Sequence, residues 1–204
     1  MAASPVLARA RTLVMTGSVA VGSLGIAALA LPGQAGATVQ RATTTGTYTC
    51  TGSALGQSFT YTGTVAISGT FPASVKPSTA FTMTGFQTKV TIPAATVNQI
   101  LAYTSTISGR VSTFDIKASS GTTTVNAAGK GISIPTTTLH SNTPLTLTLP
   151  KAPVTVTGFK SGPSAGTITF STGKIGITIS VLGISVSVSC TPKPVATLGH
   201  TTVT

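Results

Sequence analysis

The sequence predicts an all-β protein, a single antiparallel β-sandwich of about eight strands with one short helix. Two observations carry that expectation. Thr recurs at alternate positions over long stretches, as in "TYTGTV" and "LTLTLP", and Thr, Val and Ile favour strands because branching at Cβ stiffens χ1. These runs are short and are broken by Gly and Pro, 22 and 12 of them in 204 residues, so the chain turns often. A third observation bears on closure of the fold: the only two cysteines, Cys50 and Cys190, lie near opposite ends of the chain.

Residues 1–37 read as a secretory leader. Arg9 and Arg11 precede the apolar stretch "TLVMTGSVAVGSLGIAALAL", and the small-x-small triplet Ala35, Gly36, Ala37 places cleavage after Ala37. The stretch is also long enough to span a bilayer, so an uncleaved anchor is the competing reading; Pro32, Gly33 and the triplet favour cleavage. The absence of a cysteine there argues against a lipid anchor. The secreted domain is then expected over 38–191, with 192–204 as a loosely ordered tail and no membrane contact once the leader is gone.

Strand by strand, "ATTTGTYTCTG" (42–52) comes first, and "SALG" turns it back into 57–71, where Phe59, Tyr61, Val65 and Ile67 share one face. Gly63 on that face leaves room for a large neighbour or marks a bulge. Two prolines in "PASVKPS" end the run. In 79–93, Phe81 and Met83 are odd while Phe86, Val90 and Ile92 are even, so a bulge at Gly85 is needed to aim both sets at one core. "PAATVNQILAY" (93–103) alone has helical spacing and reads as a turn or two of helix capping the sandwich. Strands are further expected over 105–119, 121–135, 143–159, 165–170, 174–183 and 184–190. Pro150 and Pro153 suit an edge strand, and Gly183 a tight hairpin turn. "KVTIPAATVN" (89–98) and "GISIPTTTLH" (131–140) echo one another and would mark matching strand exits.

An exported chain with two cysteines and no metal-spaced companions most simply forms one disulfide, Cys50 to Cys190; free buried thiols or pairing between molecules are the alternatives. A bridge needs α-carbons within about 7 Å, so "TYTCT" and "SVSVSCT" would be neighbours.

Without the leader, ten Lys and Arg face the single acid Asp115, a net charge of about +9. That balance favours polyanions such as an anionic cell-wall polymer or another envelope component. The cations are evenly spread with few aromatic neighbours, however, which fits solvated lysines guarding strand edges and not a specific nucleic-acid groove.

Acid-base, glycosidase and metal chemistry need carboxylates in pairs or clustered ligands, and this chain has one Asp, no Glu and two His. Asp115, close to Lys117, reads as a structural ion pair or acceptor. "GPSAG" (162–166) fits the nucleophile-elbow pattern, but Pro163 precedes Ser164, a strand-like "TITF" follows it, and no acid lies between Ser164 and His200; it reads as a turn. No catalytic, cofactor-binding or metal residue is therefore assigned, and no cofactor is expected.

The mature start "YTCT", the strand-Pro-helix pattern "VTIPAATVNQILA", a Gly-rich connection before "GTITF" and the ending "VSVSCTP" together resemble a secreted actinobacterial β-sandwich domain of unknown function. The resemblance implies an immunoglobulin-like two-sheet fold in an envelope or extracellular setting, and no catalytic residues. The function expected is a non-enzymatic adhesion or scaffold module with weak polyanion affinity. The alternative is a carrier of a small apolar ligand between the sheets, which would require an enclosed cavity lined by residues such as Ile92, Leu147 and Ile177.

Overall fold

Alternating Thr and branched aliphatic residues put a hydroxyl face and an apolar face on each strand, and the chain buries the apolar faces against one another. A computed structural model of the protein describes residues 38–204, apart from 55 and 182. The expected leader and its cleavage site after Ala37 lie outside the described residues. The elements are β1 (Val39–Ala54), β2 (Gln57–Pro72), β3 (Ser74–Val75), β4 (Ala80–Ile92), α1 (Ala94–Leu101), β5 (Thr106–Ala118), β6 (Thr124–Asn126), β7 (Ile132–Thr138), β8 (Leu145–Lys160), β9 (Gly166–Val181), β10 (Ile184–Pro192) and β11 (Thr197–Val203).

The fold is all-β and sandwich-like, with one short helix among the described residues, as expected. Hydrogen bonding runs through one open sheet in the order β3-β11-β9-β10-β1-β2-β4-β8, with β5 on the other flank of β9 and β6 and β7 beyond it. The sheet folds over on itself. Phe71 on β2 stacks on Phe170 of β9 at 3.9 Å, and Phe86 on β4 meets Phe114 of β5 edge-on at 5.3 Å, although neither strand pair is hydrogen-bonded. Aromatic pairs of this kind add to the area they bury and fix how the two layers sit.

One row of side chains crosses the inner face through five strands: Tyr61, Cys50, Cys190, Ile175 and Phe114 are successive register partners. Cys50 and Cys190 are directly opposite each other, α-carbons 3.9 Å apart, and form the disulfide. The first and last long strands are thus joined as expected.

The phase change at Gly85 is a bulge. Gly85 takes φ +66°, the pairing of β4 with β8 slips between Met83 and Phe86, and both of those side chains are fully buried. Gly63 faces Tyr48 across the ladder, but a Cβ there would lie 3.0 Å from the Thr91 carbonyl oxygen, so close approach of β4 is what calls for glycine. Pro93 caps α1, whose Val97 is buried while Ile100 and Leu101 pack on the core, so the helix plugs one end. β8 is an edge strand, as Pro150 and Pro153 require.

Several expectations change. Among the described residues there are eleven strands, one pairing (β3 with β11) is parallel, and Gly166–Val181 forms one strand where two, 165–170 and 174–183, were expected. β9 continues through Gly173 because Asp115 of β5 packs there: a Cβ on Gly173 would fall 2.6 Å from that of Asp115. Residues 192–204 are not a loose tail. β11 continues along the flank of β9 that β10 occupies, Leu198, Thr201 and Val203 are buried, and the Thr201 hydroxyl donates to the Pro72 carbonyl. The sequence echo does not mark equivalent exits: Pro93 opens a helix, whereas Pro135 stays inside β7 at a break in its pairing with β5. Asn98, at the end of the first segment, exchanges hydrogen bonds of 2.8 and 2.9 Å with Asn142, in the turn that follows the second.

Candidate functional site

The outer face of β1, β2, β4 and β8 is a grid of hydroxyl groups set by register. One row reads Thr47, Thr64, Thr91, Thr146; the next reads Thr45, Ala66, Lys89, Thr148; a third holds Thr43, Ser68 and Gln87. Strand spacing and the two-residue repeat fix this grid at about 4.8 by 6.8 Å. Ala66 has the smallest side chain in it, and its position is the floor of a shallow groove of about 470 Å³ flanked by Thr45, Ser68, Gln87, Lys89 and Thr148. The Gln87 carboxamide nitrogen donates to the Pro150 and Lys151 carbonyls, at 3.2 and 3.3 Å, which holds it against β8. Lys89 is exposed on β4, one strand in from the edge strand β8, and lies between Ala66 of β2 and Thr148 of β8. Such a groove offers hydroxyl donors and acceptors and one cation to a ligand lying across the strands.

The inner face offers little space. A crevice between the layers is lined by Ile92, Leu147 and Ile177 together with Tyr48, Tyr61 and the disulfide, and its free volume is about 40 Å³. That is well below the roughly 150 Å³ of an apolar cavity known to admit benzene. Tyr48 is fully buried, and burial pushes its phenol up to about 12; the nearby Thr172 hydroxyl moderates the effect, although the two do not meet hydrogen-bond geometry. Burial likewise raises Tyr61 to about 12.

The residues considered for chemistry are not brought together. Asp115 is half-buried against Gly173 on β5; Ser164 is exposed in the loop before β9; His140 is exposed at a turn. His200 is exposed on β11, paired opposite Thr169, with its Nε2 3.0 Å from Gln40 Nε2. No group of three or more His, Cys, Asp or Glu side chains able to hold a metal occurs among the described residues. Sequence reasoning missed Ser161, whose hydroxyl donates to the Lys76 carbonyl at 2.7 Å and accepts from the Thr79 amide at 2.9 Å, latching the β3–β4 loop to the end of β8. No local pattern distinguishes it from the other serines.

The profile of a family of unknown function (DUF6801) matches residues 47–198. This chain belongs to that family. The DUF6801 match takes in both cysteines and Lys89, while Thr43 and Thr45 of the groove precede it. No curated protein matches the chain. Among solved structures it is similar to "Putative membrane anchored protein from Corynebacterium diphtheriae", at 22% identity and a TM-score of 0.48. The alignment covers 79% of this chain and 37% of that one, so this chain spans well under half of that protein's length. Among the described residues, no helix is long and apolar enough to cross a membrane.

Proposed function

We propose that the chain is an exported, non-catalytic adhesion or scaffold module of the cell envelope or its surroundings, which holds an extended anionic polymer along the groove over Ala66. The observation that carries this is the placement of Lys89. Cations that only deter aggregation belong on edge strands, whereas Lys89 stands on β4, hydrogen-bonded to β2 on one side and β8 on the other, among hydroxyls at a recess of the grid. Wall polymers and acidic polysaccharides present repeating hydroxyls and anions, which a hydroxyl grid with an embedded cation complements. The small inner crevice weighs against the carrier reading.

The test is retention on purified wall polymers at low and high salt, comparing the protein with Lys89→Gln and with Ala66→Lys, which fills the recess. Polymer-specific retention that both variants reduce and that partly survives high salt supports the groove. Retention that salt abolishes and that neither variant changes would reduce the effect to net charge.

A further inference from the structure

The end of the fold that carries α1 is unusual in charge. Sequence segments 52–75, 90–109, 131–150 and 175–192 contain no Lys, Arg, Asp or Glu, and His140 is their only histidine. They supply α1, the β1–β2 and β9–β10 hairpin turns, and the starts of β5 and β8. β2 pairs with β4 only from Thr64 onward and Gly63 lies against its end, so residues 57–62 stand beyond β4. β1 and β10 pair as far as Gly52 and Val188, so the two hairpins run side by side and part near their ends, with β9 still flanked by β5 as far as Ser180.

Hairpin turns are ordinarily polar. Here the described turn residues Gly56 and Gly183 both take φ +77°, and no charged residue flanks either of them. Next to them, Ile184 is 42% exposed and Tyr103, just after α1, is 66% exposed. Phe59 and Tyr61, half-buried, stack at 6.3 Å. Exposed Arg110, opposite Thr178 on β9 and donating to the Lys130 carbonyl, borders this end with Lys130 itself.

We propose that this end docks on a lipid surface bearing anionic headgroups, with Ile184, beside the β9–β10 turn, and Tyr103 entering the headgroup region and Arg110 and Lys130 meeting phosphate. An uncharged tip enters that region without the cost of desolvating an ion, tyrosine partitions to such interfaces, and flanking cations are attracted to anionic lipid. The large excess of cations over the single acid favours an anionic surface as a whole.

The experiment is co-sedimentation of protein beginning at Thr38 with vesicles of phosphatidylglycerol and phosphatidylcholine, and of phosphatidylcholine alone. That chain contains every described strand and the buried core, and a cooperative thermal transition verifies its folding. Expected is binding to the anionic vesicles, weakened about tenfold by each of Ile184→Ser and Tyr103→Ser and about fivefold by Arg110→Gln. Both hydrophobic side chains are exposed, so their melting temperatures should match the parent. No binding to either vesicle overturns the proposal. Binding that responds to Arg110→Gln and salt while ignoring Ile184→Ser and Tyr103→Ser also overturns it, because the tips then play no part.

Discussion

Replacing both Cys50 and Cys190 with alanine is expected to remove about 5 kcal/mol of stability. The bridge closes a loop of 140 positions, the sequence separation of the pair, and chain-entropy bookkeeping for a loop of that size gives this figure. The two residues already face each other in the β1–β10 ladder, so breaking the bond leaves native strand pairing available and the loss falls mainly on the unfolded chain. Domain stabilities usually lie at about 5–15 kcal/mol, so the variant should stand near the edge of folding. The assay is urea unfolding followed by far-ultraviolet circular dichroism, since the chain has no Trp. The variant should unfold at a much lower midpoint, with a steeper slope because its unfolded state exposes more surface. With both cysteines almost fully buried, at 4% and 2% exposure, a reductant should cleave the bond in the native protein only at the rate of unfolding. Equal midpoints and slopes for the two proteins, or rapid reduction without unfolding, would refute the reasoning.

Two further outcomes follow from the core. Because burial raises Tyr48 from 10.0 to about 12, the folded state loses stability relative to the unfolded one between pH 10 and 12, by about 3 kcal/mol from this group, and keeps all of it below pH 10. Tyr48→Phe, which also removes a buried hydroxyl without a hydrogen-bond partner, should be no less stable at neutral pH and should show a shallower alkaline decline in melting temperature; parallel declines would contradict this. Gly109→Ala would place its Cβ 2.2 Å from the Thr178 carbonyl oxygen and should cost about 3 kcal/mol, whereas Gly46→Ala, whose nearest neighbour is 3.6 Å away, should cost under about 1 kcal/mol; thermal melts of the pair decide it.

The legible parts of the fold were those decided locally or by scarcity. Alternating Thr and Val located the long strands, the parity switch around Gly85 located a bulge, and with only two cysteines the observed disulfide was the simplest pairing. What escaped was decided by distant contacts. β11 is ordered by Leu198, Thr201 and Val203 finding the flank of β9, and nothing within "TLGHTTV" announces that partner. Residues 171–173 fell between two expected strands because the packing of Asp115 against Gly173 joins positions 58 residues apart in sequence. The groove was hidden for a related reason: Thr45, Ala66, Lys89 and Thr148 come from four strands, and only their shared register makes them neighbours.

The placement of charge ties these readings together. With 6% charged residues and an open sheet, the protein must keep its strand edges from pairing with other chains. It does so with few devices: β8 carries Pro150, Lys151, Pro153 and Lys160, β7 carries Pro135, and β3 and β6 are only two and three residues long. Cations on those edges are accounted for by solubility. Lys89, on a strand paired along both sides, is not, and an end of the fold whose segments carry no formal charge is the opposite of what solubility alone would select. Those two departures are where binding should be sought. Because the groove lies on the outer face of β1, β2, β4 and β8 and the uncharged tips lie at the α1 end, Lys89→Gln and Ile184→Ser should each impair one kind of binding and leave the other intact.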